Sequence, residues 1–206
     1  MKTVLLVIIA YLLGSIPNAL WIGKVFKGID VREHGSKNTG STNAARVLGA
    51  KLGILTLLLD IGKGALPTAA ALFLHADMLE KLTGISNIDA IFIGIFAIMG
   101  HSFSVFMKFK GGKAVATTVG VFTVIVPKAI LVAAIVFFVV FAVSRYVSLS
   151  SITAAASLPI AIYIFYKNLP LTVFGIVIAV LIIVRHKSNI ERIKNGTESK
   201  FTINKK

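Results

Sequence analysis

The run Gly35–Arg46, with the sequence GSKNTGSTNAAR, is the part of the chain richest in groups that can bind an anion. Its glycines let the backbone fold back on itself, and its amide, hydroxyl and guanidinium groups can all donate hydrogen bonds. A connector that serves only for solubility does not need so many such residues together. The run therefore predicts a phosphate-binding loop, and its place between two apolar segments puts that loop at a membrane surface.

A second candidate loop is the basic, glycine-bearing run Lys108–Lys113, KFKGGK. Gly111 and Gly112 would let the backbone approach a phosphate closely, at the start of a helix whose amides would face the ligand. Lys113 adds a mobile positive charge. The run is not a nucleotide P-loop, because Ala114 stands where a Ser or Thr would hold magnesium. The alternative is an ordinary basic turn on the cytoplasmic side.

Two pairs of polar residues further along share a three-residue spacing, which places each pair on one face of a helix. Ser148 and Ser151 follow Arg145, and their hydroxyls either face a substrate or cap the start of a helix. His186 and Asn189 follow the last apolar run. The alternative for this second pair is a basic helix lying at the membrane interface.

Three ionisable residues lie inside apolar segments, where such residues usually face protein or water. Asp60 and Lys63 are spaced i,i+3 and can neutralise each other, so they form either a structural ion pair or a substrate contact. His101 is either a core residue or a catalytic one.

The composition indicates an integral membrane protein, since 56% of the 206 residues are hydrophobic and only 15% are charged. Long apolar runs favour an all-α polytopic bundle over a β-barrel. The chain has no cysteine, and its few carboxylates are scattered, so we expect neither a metal site nor a cofactor. The net charge of +14 is typical of the positive-inside rule and of attraction to anionic lipid. Basic residues are not interleaved with aromatic ones, which argues against nucleic acid.

We predict a single membrane-embedded domain over residues 1–206, with about seven transmembrane helices. The predicted spans are 3–25, 52–74, 89–107, 114–126, 129–144, 152–166 and 170–184. Pro17 should kink the first span. Lysine and arginine concentrate in the connectors after the first, third, fifth and seventh spans, so the N-terminus should be outside and the C-terminus cytoplasmic. All four polar clusters would then lie on the cytoplasmic side.

Taken in order, these clusters resemble the motifs of a bacterial acyltransferase family. Gly14-Ser-Ile-Pro17 with Asp30–Arg46 resembles the first motif of PlsY, the glycerol-3-phosphate acyltransferase, and Gly100–Thr117 is similar to its second. Arg145–Ser151 and Arg185–Glu198 resemble its C-terminal motifs. Four residues depart from the family pattern: Lys37, Ser41, Ser104 and Ala114. Lys37 replaces a glycine, which would adopt a positive φ more readily.

The resemblance implies transfer of a fatty acyl group from acyl phosphate to the 1-hydroxyl of glycerol 3-phosphate, an early step of phospholipid synthesis at the bacterial plasma membrane. The residues that it implies for glycerol 3-phosphate and catalysis are Ser36, Arg46, Lys113, His186 and Asn189. Those that it implies for bracing the first loop, shaping the second or lying near acyl phosphate are Asn38, Asn43, Gly111, Gly112, Ser148 and Ser151. The proton would leave on a substrate phosphate, with His186 as the alternative base.

Two other classes fit part of the sequence. A transporter of a phosphate-bearing solute is compatible with the span count, although its polar groups should then cluster at a midplane helix break. A lipid-binding scaffold is the other. For the acyltransferase, the predicted partners are the two substrates and membrane lipid, with no nucleic acid and no obligate protein partner inferred.

Overall fold

The computed structural model describes residues 2–202, which form helices and connecting turns without a β-strand. The all-α prediction is therefore confirmed. The described chain divides into two compact units, residues 2–125 and Val126–Thr202.

The first unit contains seven α-helices and one 3₁₀ turn among the described residues. They are α1 (Lys2–Ser15), α2 (Asn18–Lys27), α3 (Ser41–Leu48), α4 (Ala50–Phe73), α5 (Met78–Thr83), α6 (Ile88–Ser102), the 3₁₀ turn Val105–Met107 and α7 (Val115–Ile125). Helix α1 packs on α6 and α4 on α7. Glycine makes both approaches possible, because a Cβ at Gly14 would overlap the Ala97 carbonyl and one at Gly64 the Thr117 carbonyl.

The second unit contains four helices among its described residues. They are α8 (Pro127–Ser144), α9 (Val147–Tyr166), α10 (Leu169–Arg185) and α11 (Lys187–Lys194). Helix α9 packs on α8, α10 and α11. Leu158 and Ile162 of α9 and Ile178 and Ile182 of α10 are buried. Large apolar side chains such as Phe138 and Val143 are exposed, as expected for a surface that meets lipid.

The predicted spans match the helices, with informative differences at their ends. Within the described residues, four helices are long and apolar enough to cross a membrane, or six if each bent helix pair is one span. The predicted count of seven also needs Val115–Ile125, which is a shorter apolar helix. The first span bends by 45° between α1 and α2, which confirms the predicted kink at Pro17. Pro127 begins a new helix, so the apolar stretch around it forms two helices rather than one.

Two short helices lie where the sequence predicts only connectors. Helix α3 occupies part of the polar run Gly35–Arg46, and α5 lies between the second and third predicted spans. Asp89 anchors α5, because its buried carboxylate accepts hydrogen bonds from the amides of Leu79 and Glu80 and from the Thr3 hydroxyl. These tertiary contacts stabilise α5, which is too short to form on propensity alone.

Candidate active site

Asn43 organises the first candidate loop from its centre. Its side chain is buried, with 1% exposed, and its Oδ1 accepts a hydrogen bond from the Ser36 amide at 2.8 Å. Its Nδ2 lies within hydrogen-bonding distance of the carbonyls of Val31, His34 and Asn38, at 2.9, 3.2 and 2.9 Å. One amide side chain thus holds four backbone groups together, with its two N–H donors shared among three carbonyls.

Asn38 completes the bracing of this loop. Its Oδ1 accepts a hydrogen bond from the Gly40 amide at 2.9 Å, just before α3 begins at Ser41. These hydrogen bonds brace the loop, which is the role that the family resemblance implies for Asn38 and Asn43. Contact of either residue with a substrate stays a prediction.

The loop contains two residues in the left-handed region of backbone space. Gly35 has φ +60° and Lys37 has φ +57°. A Cβ at Gly35 would overlap Asn43 Oδ1, so glycine is required there for space as well as for backbone conformation. Lys37 stands where the resembled family has glycine, and its positive φ explains why glycine suits that position.

The two predicted substrate residues of this region sit on opposite sides of Asn43 in the chain. Ser36 is exposed and its amide is held by Asn43, whereas Arg46 is half-buried in α3 and is also engaged in interactions. Arg46 follows Asn43 by three positions, so both lie on the same side of α3. The fold thus fixes the backbone of Ser36 and the helix that carries Arg46 through a single side chain.

An ion pair precedes the loop. Arg32 donates to Asp30 through both Nε and Nη2, at 2.9 and 2.6 Å, in a two-pronged arrangement. The hydrogen bond from the Arg32 guanidinium lowers the pKa of Asp30 to about 2. Asp30 is therefore ionised at neutral pH and holds Arg32 just before the start of the Gly35–Arg46 run.

The second candidate loop is held by backbone hydrogen bonds to the end of α6. The Gly111 amide donates to the Ser102 carbonyl at 3.1 Å and the Gly112 amide to the His101 carbonyl at 3.0 Å. A Cβ at Gly111 would overlap the His101 carbonyl, and one at Gly112 would overlap the His101 imidazole. These two amides therefore hold the loop against the end of α6, and the predicted approach of the loop to a phosphate stays a prediction. The glycines shape the loop that presents Lys113, which is half-buried.

Ala114 replaces the glycine that follows Gly-Gly-Lys in the resembled family, and it also has a positive φ, at +60°. It is almost fully buried, directly before α7 begins at Val115. Both departures from glycine thus fall at left-handed positions, one in each candidate loop.

Asp60 and Lys63 form the structural ion pair that was one of the two sequence interpretations. Lys63 Nζ lies 2.9 Å from Asp60 Oδ1, and the two side chains are 6% and 2% exposed, respectively. His101 is buried in the same region, with its Nδ1 3.0 Å from the Thr117 hydroxyl and 4.0 Å from Asp60 Oδ1. Its imidazole is thus held within the protein, as the core interpretation predicts.

Glu198 is the residue that the sequence interpretation missed in the second unit. Its Oε1 accepts hydrogen bonds from Ser148 Oγ at 2.5 Å and from Asn189 Nδ2 at 2.7 Å, and its Oε2 accepts one from Arg192 Nε at 2.7 Å. Burial opposes ionisation of the carboxyl, but these three hydrogen bonds outweigh it and hold the pKa of Glu198 below its ordinary value. The one signal in the sequence was its place at the end of the last family motif, in a strongly basic tail.

The remaining predicted residues of the second unit lie near the starts of two helices. His186 is buried between α10 and α11, and its Nδ1 is 2.8 Å from the Ile182 carbonyl. A carbonyl oxygen only accepts, so Nδ1 carries the hydrogen and Nε2 is the basic nitrogen of a neutral ring. Ser148 and Ser151 lie within α9 after the N-cap Tyr146, and Ser151 donates to the Val147 carbonyl. Neither serine caps the helix start.

The described structure therefore joins some predicted residues directly. Asn43 connects to Ser36 and Asn38 in the first unit, and Glu198 joins Ser148 to Asn189 in the second. Lys113 follows the two glycines that pack on His101. The roles of the other predicted residues stay predictions.

Comparison with known proteins identifies the family of this chain. The family model described as glycerol-3-phosphate acyltransferase matches residues 4–196. The chain belongs to this family. A glycerol-3-phosphate acyltransferase of Fusobacterium nucleatum is 46% identical over 195 residues, covering 95% of this chain and 96% of the relative. One from Enterococcus faecalis is 42% identical, covering 98% and 93%.

Two solved structures of the family are also similar to this chain. The glycerol 3-phosphate form of PlsY, an integral membrane glycerol 3-phosphate acyltransferase, has a TM-score of 0.88 and 40% identity, covering 98% of this chain and 96% of that one. The lysophosphatidic acid form has a TM-score of 0.85 and 39% identity, covering 98% and 97%. The family resemblance drawn from the motifs is therefore confirmed, as is the membrane class.

Proposed function

We propose that this chain, as a glycerol-3-phosphate acyltransferase, takes its acyl group from acyl phosphate. The product would be 1-acyl-glycerol 3-phosphate, with inorganic phosphate as the second product. The observation that carries the acyl transfer is the similarity to a protein solved in both a glycerol 3-phosphate form and a lysophosphatidic acid form. These two molecules differ by one acyl ester, so they are the substrate and product of acyl transfer to a hydroxyl.

Acyl phosphate suits the groups that this chain offers. It is a mixed anhydride with a good leaving group, so the attacking hydroxyl needs less activation than with a thioester or ester donor. No histidine in the chain is followed five residues later by Asp, the spacing that marks the common His-dependent acyltransferases. A site built mainly from phosphate-binding and orienting groups is what this donor requires.

The chemical step balances as follows. The 1-hydroxyl oxygen of glycerol 3-phosphate attacks the acyl carbonyl carbon, a new C–O ester bond forms, and the C–O bond to phosphate breaks. Phosphate leaves with the electron pair of that bond and takes up the hydroxyl proton. His186 Nε2 is the alternative acceptor for that proton, since Nδ1 is committed to the Ile182 carbonyl.

For the protein's own residues we propose the roles that the motifs imply. Ser36, Arg46, Lys113, His186 and Asn189 would bind glycerol 3-phosphate and orient its hydroxyl. Ser148 and Ser151 would lie near the acyl phosphate. Support comes from the way the fold treats these residues: Asn43 fixes the Ser36 backbone, and Glu198 orients the Asn189 amide and the Ser148 hydroxyl.

The donor is tested with purified protein in lipid vesicles, labelled glycerol 3-phosphate and one acyl donor at a time. We expect lysophosphatidate from acyl phosphate, with one phosphate released per product, and none from acyl-CoA. Arg46→Ala should lose at least about a hundredfold in activity, since a guanidinium–phosphate contact is strong and two-pronged. Arg32→Ala is the matched control and should change activity less than about twofold, because Arg32 is paired with Asp30. Product formation from acyl-CoA alone would contradict the proposed donor.

We also propose that the candidate site faces the cytoplasm, with the N-terminus outside. Because the chain has no cysteine, single cysteines can report on each side of the membrane. Lys81→Cys should react with an impermeant maleimide in intact cells, whereas Lys194→Cys should react only after permeabilisation. Both lysines lie at exposed positions, so a difference in labelling reports the side of the membrane. The reverse labelling would contradict this orientation.

A further inference from the structure

Asp60 and Lys63 do more than neutralise each other, because their partners lie on both sides of the bend between α1 and α2. Lys63 Nζ donates to the Ile16 carbonyl at 2.9 Å, just before Pro17. Asn18 Nδ2, just after Pro17, donates to Asp60 Oδ1 at 2.9 Å. Proline leaves the helix there without a backbone donor, so side chains take over the task of fixing the bend.

The same pair lies next to His101, and His101 contacts the second candidate loop through both its carbonyl and its imidazole. Asp60 Oδ1 lies 4.0 Å from His101 Nδ1, which contacts the Thr117 hydroxyl at 3.0 Å. The His101 carbonyl accepts the Gly112 amide, and its imidazole packs on Gly112 closely enough to leave no room for a Cβ. A shift of the ring would therefore move Gly112 and the adjoining Lys113.

The first candidate loop reaches the same region. A cavity of about 10 Å³, no larger than one water molecule, is lined by Thr39 of the first loop, by residues of the bend and by residues at and after the end of α6. Its lining includes Thr39 of the first loop, Lys63, His101 and Ser104. Ser104 in turn donates through its hydroxyl to the Ser15 carbonyl at 2.5 Å. Thr39, Lys63 and His101 are all buried, so tight packing connects these elements.

We infer that Asp60 and Lys63 are positioning residues: their buried pair fixes the bend after α1 and, through His101, sets the position of the Gly111–Lys113 loop. This inference rests on the proposed role of Lys113 in binding glycerol 3-phosphate. Neither residue has to touch the substrate. Well-packed neutral residues can be as stable as a buried ion pair, so the inference rests on the contacts that the pair makes with Ile16, Asn18 and His101.

The test separates positioning from stability with a charge-neutral double variant, Asp60→Asn with Lys63→Met. Each single variant leaves one buried charge unpaired and should lower the melting temperature strongly, whereas the double variant should recover most of that loss. We expect the double variant to raise the KM for glycerol 3-phosphate by about tenfold to a hundredfold, while the KM for acyl phosphate changes less than about twofold. Direct binding of glycerol 3-phosphate, followed by calorimetry, should weaken in parallel.

Asp89→Asn is the matched control, because Asp89 is equally buried in the same unit but anchors α5. It should lower the melting temperature without changing the KM for glycerol 3-phosphate. An equal rise of KM in Asp89→Asn would overturn the inference, since the effect would then report destabilisation alone. A double variant that recovers stability with wild-type KM values would overturn it too.

Thr117→Val keeps the inference testable if the double variant does not fold. The substitution keeps the shape of the side chain and removes the hydroxyl beside His101 Nδ1. A rise of several-fold in the KM for glycerol 3-phosphate would support positioning through His101, and an unchanged KM would overturn it. Wild-type protein that makes no lysophosphatidate would instead contradict the proposed function, which keeps the two failures distinguishable.

Discussion

The loop around Asn43 in the first unit and the tail around Glu198 in the second each depend on one side chain that gathers its neighbours. Asn43 is neutral, and it both donates to backbone carbonyls and accepts from a backbone amide. Glu198 is an acid that only accepts, and its partners are the side chains of Ser148, Asn189 and Arg192. The first therefore fixes a backbone conformation, whereas the second orients functional side chains.

This difference has consequences for pH and for substitution. Hydrogen bonds of an amide do not titrate, so the Asn43 loop should hold its shape over a wide pH range. The pKa of Glu198 is lower in the folded protein than its ordinary value of 4.5. Its contribution to stability is therefore complete above pH 4.5 and is lost as the pH falls through the lowered value.

The largest effect is expected from Asn43→Asp, which turns the neutral residue of the first region into an acid like Glu198. The new carboxylate would face three carbonyl oxygens without a donor to offer them, in a site that is 1% exposed. We expect a loss of about 3 kcal/mol or more in stability, together with loss of activity. Thermal unfolding in detergent measures it. The exposed Asn195→Asp should change stability by less than about 0.5 kcal/mol. Wild-type stability of Asn43→Asp would contradict the account of the loop.

Glu198→Gln removes the charge from the second region while keeping its shape. We expect a loss of about 2 kcal/mol at neutral pH, because hydrogen bonds to a charged group are worth more than neutral ones. The difference in melting temperature between wild type and variant should shrink as the pH falls below 4.5. Glu191→Gln, which changes an exposed acid in the same tail, should alter the melting temperature at neutral pH much less than Glu198→Gln. A difference that is constant from pH 7 to well below 4.5 would show that the charge of Glu198 contributes nothing.

Gly112→Ala tests a loop that is held by backbone hydrogen bonds to the end of α6. The added Cβ would overlap the buried His101 imidazole, so we expect a loss of about 1 to 2 kcal/mol and a clear fall in activity. Gly62→Ala is the control, since no atom lies within 4 Å of its Cβ position and alanine favours the helix. Equal stability of the two variants in thermal unfolding would mean that the His101 contact does not constrain the loop.

The smallest effect is expected from Lys37→Gly, which tests whether the positive φ of Lys37 strains the Asn43 loop. Glycine would relieve the left-handed strain at φ +57°, worth about 1 to 2 kcal/mol, and would lose part of that gain through its greater freedom when unfolded. A net gain of about 0.5 kcal/mol should appear as a higher melting temperature. Lys51→Gly, near the start of α4, should shift it the other way. A lower melting temperature for Lys37→Gly would show that the lysine side chain makes a compensating contact.

The sequence predicts the long helices well, because apolar runs and prolines act locally. The bend at Pro17 and the helix start at Pro127 need only the missing amide of proline. It predicts α3 poorly, because Ser, Thr and Asn favour turns. It misses α5 because six residues are too few to form a helix on propensity alone, and the contacts of Asp89 that stabilise this helix are tertiary.

In the candidate site, too, the sequence reveals local features but not the contacts between distant residues. The polar run Gly35–Arg46 is visible because its composition is unusual, and Asn43 is the residue that gives the run its shape. The role of Glu198 depends on three partners up to 50 residues away in the chain, so spacing alone does not reveal it. Spacing also does not reveal that the amides of Gly111 and Gly112 donate to carbonyls at the end of α6.

The most direct test of the proposed reaction follows the bridging oxygen of acyl phosphate. Acyl phosphate labelled with ¹⁸O between the carbonyl carbon and phosphorus is mixed with unlabelled glycerol 3-phosphate and the protein in lipid, and the products are analysed by mass spectrometry. Attack at the carbonyl carbon predicts one lysophosphatidate per phosphate, with all the ¹⁸O in the released phosphate. Label retained in a fatty-acid carboxylate, or phosphate release without lysophosphatidate, would contradict acyl transfer from this donor.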